Sequence, residues 1–302
     1  MFIISIRMTL RKAFHLLFSL SILISIASCS GNKRTELSYN NIGFDSVLLR
    51  KEKHLFNDTT KAKASIELKL LTPNASTPAN IKNLIERCFK ISLFGHDDAK
   101  TDINKLSQRY VGNYLKEYNQ LEAIYTKDQL EFAKKKSTNE DDADLYNPME
   151  SAYSYEHSTD LIIQFNKANL LSYTVERFDY TGGAHGMTTD SCFTILLDKG
   201  RFLKQEDLFE EASLDKIAEL IIKSIAKDNN LDDPIKLEDQ GFFSVKEIFP
   251  NGNIYATDEG ITWIYNPYDI AAYAIGSVEV TIPYAELKPY LKPQNPLSGF
   301  IK

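Results

Sequence analysis

The spacing of apolar residues changes period near Ala152, and this change constrains the fold more than any other feature of the sequence. Upstream, apolar side chains recur at intervals of three and four residues in two stretches, 77–88 and 102–133, as on one face of an amphipathic helix. Thr77 and Pro78 provide an N-cap and a first-turn proline for the first helix. The second stretch predicts a long helix, broken near residues 126–128.

Downstream of Ala152, apolar and polar residues alternate, which is typical of half-buried strands. The pattern predicts an antiparallel meander of three strands at 161–165, 171–178 and 191–197, with tight turns at 166–169 and 198–201. Further segments complete the prediction: strands at 45–49, 64–70, 253–257, 260–265 and 277–282, and a helix at 213–227 capped by Ser213. We therefore expect an α+β fold of antiparallel sheets with packed helices, in two domains at residues 41–188 and 189–302.

Residues 1–28 read as a secretory signal, because Arg7, Arg11 and Lys12 precede an apolar run that ends in small residues. The core of this run is about 11 residues, whereas a membrane span needs about 20. The end of the run, Ile-Ala-Ser-Cys at 26–29, resembles the bacterial lipobox. We expect a lipid on Cys29 and a polar tether over 29–40, which predicts a lipoprotein anchored outside the cytoplasm, in an outer membrane facing the periplasm. An ordinary secretory signal is the alternative.

Charge and cysteine content narrow the possible partners. Without residues 1–28, which contain three basic and no acidic side chains, the net charge is (35 − 3) − 41 = −9. Binding to nucleic acid requires a surplus of Lys and Arg, so the sequence predicts no nucleic-acid partner. Besides Cys29, the chain contains Cys88 and Cys192. They are candidates for a disulfide in an oxidising compartment, and two buried thiols are the alternative.

Three motifs carry a resemblance to known proteins: residues 180–186 (YTGGAHG), the turn at 198–200 followed by Glu-Asp-Leu-Phe at 206–209, and residues 265–276 (YNPYDIAAYAIG) followed by Ile-Pro-Tyr at 282–284. Together they resemble the tandem extracytoplasmic domains of unknown function in the sensor region of RsiV-type anti-sigma factors and in the N-terminal part of PdaC-type peptidoglycan deacetylases. The resemblance covers nearly all of residues 40–292.

The resemblance reaches neither the sigma-binding segment and membrane helix of the RsiV type nor the deacetylase domain of the PdaC type. The resemblance therefore implies only the tandem accessory domains, a role in the cell envelope, and lysozyme or peptidoglycan-type glycan as partners.

A small set of residues in the sequence could take part in catalysis or binding. His185, which lies between glycines, can act as a base or simply satisfy a turn. The His and Cys residues lack the close spacing of a metal site, so we predict no metal and no cofactor. The binding candidates combine the glycine loop with nearby aromatic residues, which can form a docking surface or pack in a core: Gly182, Gly183, His185, Tyr265, Tyr268 and Tyr273.

Two functions remain open from the sequence. In the first, the chain is a non-catalytic binding module for a lysozyme-like protein or a peptidoglycan-type glycan. In the second, it hydrolyses envelope polymers, with His185 and a nearby carboxylate as acid and base. Convergence of His185 with Asp258 and Glu259 in one cleft favours the second function, and their separation favours the first.

Overall fold

The computed structural model describes residues 38–96, 100–137 and 149–301. These residues belong to one compact unit, Leu37–Lys302. The predicted signal, the lipidation site Cys29 and most of the predicted tether lie outside the described residues. No helix in the described part of the chain is long and apolar enough to cross a membrane.

In the described part of the chain, the larger of two sheets has six strands in sequence order. All neighbours are antiparallel except β2 and β3, which run parallel. A parallel pair needs a crossover connection, and in the described residues between these two strands this connection contains three α-helices. The strands are β1 (Phe44–His54), β2 (Lys63–Pro73), β3 (Tyr155–Lys167), β4 (Leu170–Thr181), β5 (Met187–Leu196) and β6 (Arg201–Phe202), and the helices are α1 (Ala79–Phe94), α2 (Ile103–Tyr118) and α3 (Leu121–Ser137).

The helices cover one face of this sheet. The alternating apolar residues of β2, at 66, 68 and 70, pack there with Phe89 of α1 and Tyr173 of β4. The predicted helix break at 126–128 is wrong: α2 ends at Tyr118 and α3 begins at Leu121. Tyr118, before the break, and Tyr125, after it, both enter a small core against the β1–β2 hairpin.

The smaller sheet lies in the C-terminal part of the chain and is antiparallel, in the order β7-β8-β9. Its core surrounds the fully buried Trp263 and includes the apolar stripe of α4. Ser213 precedes α4, but its side chain makes no capping hydrogen bond, and α1 likewise starts after Pro78 rather than after a Thr77 cap. The elements are α4 (Leu214–Asp228), β7 (Ile254–Ala256), β8 (Gly260–Tyr265), β9 (Val278–Pro283) and α5 (Tyr284–Leu287).

The smaller sheet packs on the other face of β4 and β5. Ser172 donates to the carbonyl of Ala256, and the Ala256 N–H donates to Thr194 Oγ1 at 3.0 Å. Because side chains alternate along a strand, successive residues of β4 enter different cores: Leu170 joins the core around Trp263, and Leu171 joins the core under the helices. The predicted domain boundary at 188 falls inside β5 and stays a prediction.

The predicted α+β class with antiparallel sheets is confirmed, but a disulfide between the two cysteines is not formed. Cys88 faces the core under the helices, which also contains Tyr173. Cys192 lies opposite Thr174 in the β4–β5 register, on the other face of the sheet, against Tyr255 and Ile264. The sheet separates the two sulfurs, so the alternative of two buried thiols describes the structure.

Candidate binding site

The glycine-rich motif forms the loop between β4 and β5. Gly182 and Gly183 have φ angles of +82° and +98°, in the left-handed region that favours glycine. A Cβ on Gly182 would lie 2.3 Å from the carbonyl oxygen of Ala152, closer than any real contact. The Tyr180 hydroxyl donates to the Gly183 carbonyl at 3.0 Å. These constraints fix the loop and present His185 at its exposed tip.

The Asn-Pro-Tyr-Asp motif forms a second loop, directly after β8. The Asn266 side chain accepts from the Asp190 N–H at 2.6 Å and donates to the Asp190 carbonyl at 3.1 Å, which fastens this loop to β5. Asp269 accepts from the Asn266 N–H at 2.8 Å. Within this turn Tyr268 has a φ of +72°, which a bulky side chain rarely adopts. The loop therefore holds an exposed tyrosine in a strained conformation.

The two loops meet in a row of three rings, which we call the aromatic row: His185, Tyr273 and Tyr268. The His185 and Tyr273 rings stack with centroids 3.8 Å apart, and the Tyr273 and Tyr268 centroids lie 5.7 Å apart. The Tyr273 hydroxyl donates to the Gly186 carbonyl, which also lies 3.1 Å from His185 Nδ1. Since a carbonyl only accepts, Nδ1 carries the proton in this contact. Residues 88 positions apart in the sequence thus form one surface.

Tyr265 does not belong to this surface, although the sequence suggested it as a binding residue. Its side chain is 1% exposed within the core around Trp263, and its hydroxyl donates to the Phe249 carbonyl at 2.9 Å. Burial raises the pKa of this hydroxyl. Tyr265 therefore has a packing role, which is the alternative that the sequence left open for these aromatic residues.

The carboxylates proposed as partners of His185 lie elsewhere. Asp258 and Glu259 occupy the turn between β7 and β8, whereas the Tyr268 loop follows the opposite end of β8. The six residues of β8 separate the two ends by roughly 17–20 Å. Among the described residues, no group of three or more His, Cys, Asp and Glu side chains is arranged to hold a metal ion.

A histidine network that the sequence did not single out lies beneath the glycine loop. His157 of β3 is 4% exposed, and its Nδ1 lies 2.6 Å from Oδ1 of Asp179, its cross-strand partner on β4. Tyr110 and Tyr114 of α2 pack against the imidazole, each with its ring centroid 5.6 Å away. The network ties α2 to the end of β4 from which the loop departs. Only its position on an alternating strand could have indicated burial of His157.

The two chain segments that form the aromatic row are acidic. Residues 176–190 and 265–279 contain five carboxylates and one cationic side chain, Arg177. The Arg177 guanidinium donates to the carbonyls of Ser92 and Leu93 at 2.8 and 3.1 Å, at the end of α1. Its charge is therefore directed to a helix C-terminus, where the dipole is negative. The carboxylates of these two segments are Glu176, Asp179, Asp190, Asp269 and Glu279.

Two shallow clefts lie at the other end of the larger sheet, and they adjoin at Asn169 and Asp198. Their volumes are about 200 and 300 Å³. The 12 residues of β4 separate this end from the glycine loop by roughly 36–40 Å. Neither cleft contains a residue of the aromatic row.

Comparisons with known proteins match the chain in two successive parts. The family model described as deacetylase PdaC matches residues 59–188, and that of a protein family of unknown function, DUF3298, matches residues 206–285. The predicted tandem arrangement is confirmed. Among curated proteins, none matches the chain.

Two solved structures of DUF3298 proteins share the fold. The one from Bacteroides fragilis is 29% identical with a TM-score of 0.76, and the match covers 88% of this chain and 99% of that chain. The one from Pseudomonas aeruginosa is 15% identical with a TM-score of 0.54, covering 84% of this chain and 96% of that chain. The second likeness shows the fold alone.

Proposed function

We propose that this chain is a non-catalytic binding module of the cell envelope, held at a membrane by a lipid on Cys29, and that it docks a basic, lysozyme-like protein on the aromatic row. The observation that carries this proposal is the row itself, which joins a loop of each matched part. Exposed, preorganised aromatic residues supply most of the binding energy in many protein interfaces.

Neighbouring apolar side chains support a protein as the ligand. Phe243, whose N–H donates to the Ile270 carbonyl at 2.9 Å, is 44% exposed, and Ile275 and Phe249 on adjacent segments are also exposed. Exposed apolar residues grouped beside an aromatic row are typical of a protein-docking surface. A sugar, by contrast, needs an open ring face, and one face of Tyr273 is covered by the stacked His185 ring.

Charge supports a basic partner. The five carboxylates of the two segments that form the row, together with the net charge of −9 that remains without residues 1–28, attract a cationic protein over a distance of about a Debye length. Such attraction increases the association rate and falls as salt is added. The separation of His185 from Asp258 and Glu259 removes the arrangement on which the hydrolase alternative depended.

The test measures binding of a lysozyme to the fragment 30–302, which contains the whole compact unit, at low and at moderate salt. We expect binding that weakens with salt and a loss of roughly 30-fold in affinity for Tyr268→Ala, equivalent to about 2 kcal/mol. Tyr39→Ala is the matched control, because Tyr39 is 68% exposed beside the clefts at the other end of the sheet.

Absence of binding at both salt concentrations would refute the lysozyme-like partner. Equal losses for Tyr268→Ala and Tyr39→Ala would refute the assignment of the surface. Sedimentation with purified peptidoglycan forms a second arm, and binding there that depends on Tyr268, without lysozyme binding, would assign the row to the glycan instead.

A further inference from the structure

Strand β1 forms one edge of the larger sheet along all of its 11 residues. Its pairing with β2 begins where the Asn74 N–H donates to the Gly43 carbonyl and ends where the Leu55 N–H donates to Ala62. In an antiparallel ladder, residues bonded to the partner strand alternate with residues whose peptide groups point away. The odd-numbered residues of β1 therefore bond β2, and the even-numbered ones direct their N–H and C=O groups outward.

This edge is uncovered within the described ranges 38–96, 100–137 and 149–301, where β2 is the only backbone hydrogen-bonding partner of Phe44–His54. Leu48, in its apolar first half, is 58% exposed. The second half is charged, with Arg50, Lys51, Glu52 and Lys53 in succession. Long exposed edges are templates for pairing with another strand, and cationic side chains often protect them.

We propose that β1 pairs antiparallel with β1 of a second copy of this chain, about a two-fold axis through Leu49. This axis places Asp45 of each copy opposite Lys53 of the other copy, so the dimer contains two such pairs. No cationic residue falls directly opposite another, because Arg50 lies opposite Leu48 and Lys51 opposite Val47. The charged side chains of β1 disfavour pairing with other strands, but in this register they do not oppose pairing with a second β1.

The hydrogen-bonding pattern of β1 agrees with this axis. Even-numbered residues face even-numbered residues across it, so that the outward peptide groups of Leu48 meet those of Arg50. Odd-numbered residues then occupy the narrow pairs that exchange no hydrogen bonds, where opposing side chains approach most closely. Asp45 and Lys53 fall in such a pair, and neither forms an ion pair within the described part of its own chain.

Pairing of one strand buries less than the roughly 1,200–2,000 Å² of a standard stable interface. The dimer is therefore weak, with a dissociation constant of micromolar order or above. It leaves the aromatic row free, because the row lies at the β4–β5 loop and not on the β1 edge. The inference thus stands independently of the proposed binding function.

The test is sedimentation equilibrium of fragment 30–302 from micromolar to near-millimolar concentration. We expect a reversible monomer–dimer equilibrium, weakened at least about tenfold in Asp45→Lys, which places lysine opposite lysine, and regained in Asp45→Lys/Lys53→Asp. Asp232→Lys makes the same charge change at an exposed loop position and is expected to dimerise normally.

Ser46→Pro provides an independent variant, because the Ser46 N–H points outward and proline removes no bond to β2. Circular dichroism establishes that each variant is folded. A wild-type chain that stays monomeric throughout would overturn the proposal, as would full dimerisation of both Asp45→Lys and Ser46→Pro. Failure of the charge swap to regain the dimer would overturn the two-fold pairing about Leu49.

Discussion

Replacement of Tyr268 by glycine and by alanine separates the strain of its backbone from the contribution of its ring. Both variants remove the ring and its contact with Tyr273, so that loss cancels when their free energies of unfolding are compared. The remaining difference reports the cost of the backbone conformation at this position, where φ is +72°. At ordinary φ angles, alanine is the more stabilising residue by about 0.4–1 kcal/mol, because glycine leaves the unfolded chain with more freedom. At Tyr268 we expect the opposite sign.

The magnitude follows from the cost of a left-handed conformation, roughly 1–2 kcal/mol for a residue with a Cβ. Subtraction of the entropic advantage of alanine leaves the glycine variant more stable by about 0.5–1 kcal/mol. For a compact unit of this size, that difference corresponds to a rise of roughly 1–3 °C in melting temperature. Strain of this kind persists only where surrounding contacts impose it, here those of Asn266 and Asp269.

The assay is urea unfolding of fragment 30–302, with the slopes of the two variants compared to establish that the same transition is measured. The same pair of substitutions at Tyr39, which has no positive φ, is the control, and there alanine is expected to be the more stable. Equal stabilities at Tyr268, or an advantage for alanine, would refute the strained conformation. Both variants lack the ring, so we expect them to bind the ligand equally weakly.

Four further predictions concern stability and the burial of side chains. Gly182→Ala is expected to lower the free energy of unfolding by about 3 kcal/mol, because its Cβ would overlap a backbone carbonyl. Gly183→Ala has open space around its Cβ and is expected to lower it by only about 1–2 kcal/mol, the cost of its positive φ. Equal effects of the two variants in urea unfolding would contradict the packing described. Asn266→Ala removes two hydrogen bonds to β5 and is expected to lower the free energy of unfolding by about 1–3 kcal/mol, as measured by thermal unfolding. An unchanged melting temperature would show that these hydrogen bonds do not stabilise the loop. The paired Arg201 guanidinium lowers the pKa of Asp207, so this pair stabilises the fold fully above the ordinary aspartate pKa of about 4 and loses its effect as pH falls through the lowered value. Asp207→Asn is thus expected to be less stable than the wild type at pH 7 by about 1–2 kcal/mol and equal to it near pH 2, and a constant difference would contradict the linkage. Burial raises the pKa of the Cys192 thiol, so we expect both cysteines to react with a thiol reagent only after unfolding, and rapid labelling of the native protein would exclude their buried placement.

Local patterns predicted much of this fold. The alternation in β2, β3 and β4 identified strands, and the turn after β3 was recognisable from Asn169, which takes a φ of +64°. The position of the break between α2 and α3 was not predictable, because Tyr118 and Tyr125, which enter one core from either side of it, keep the seven-residue spacing of an unbroken helix.

The candidate site was predicted only in part, for a similar reason. All six residues of β8 are buried, so its sequence contains no alternation that could separate the core residue Tyr265 from the exposed Tyr268 three positions later. The meeting of Tyr273 with His185 depends on how the smaller sheet packs on β5. The motifs indicated candidate residues, but not which of them meet in the fold.

Successive side chains of β4 and β5 point into two different cores, so the chain cannot be divided after β5 without exposing one of these cores. A fragment that ends after β5 would keep Leu170 and Leu196 but lose the residues that cover them, and its apolar face would be open to aggregation. The Ser172 and Thr194 hydroxyls would simply exchange a peptide partner for water, whereas the leucines have no such substitute. The two successive family matches therefore describe parts that depend on one another, and recombination that moves one part to a new protein must supply another cover for that face.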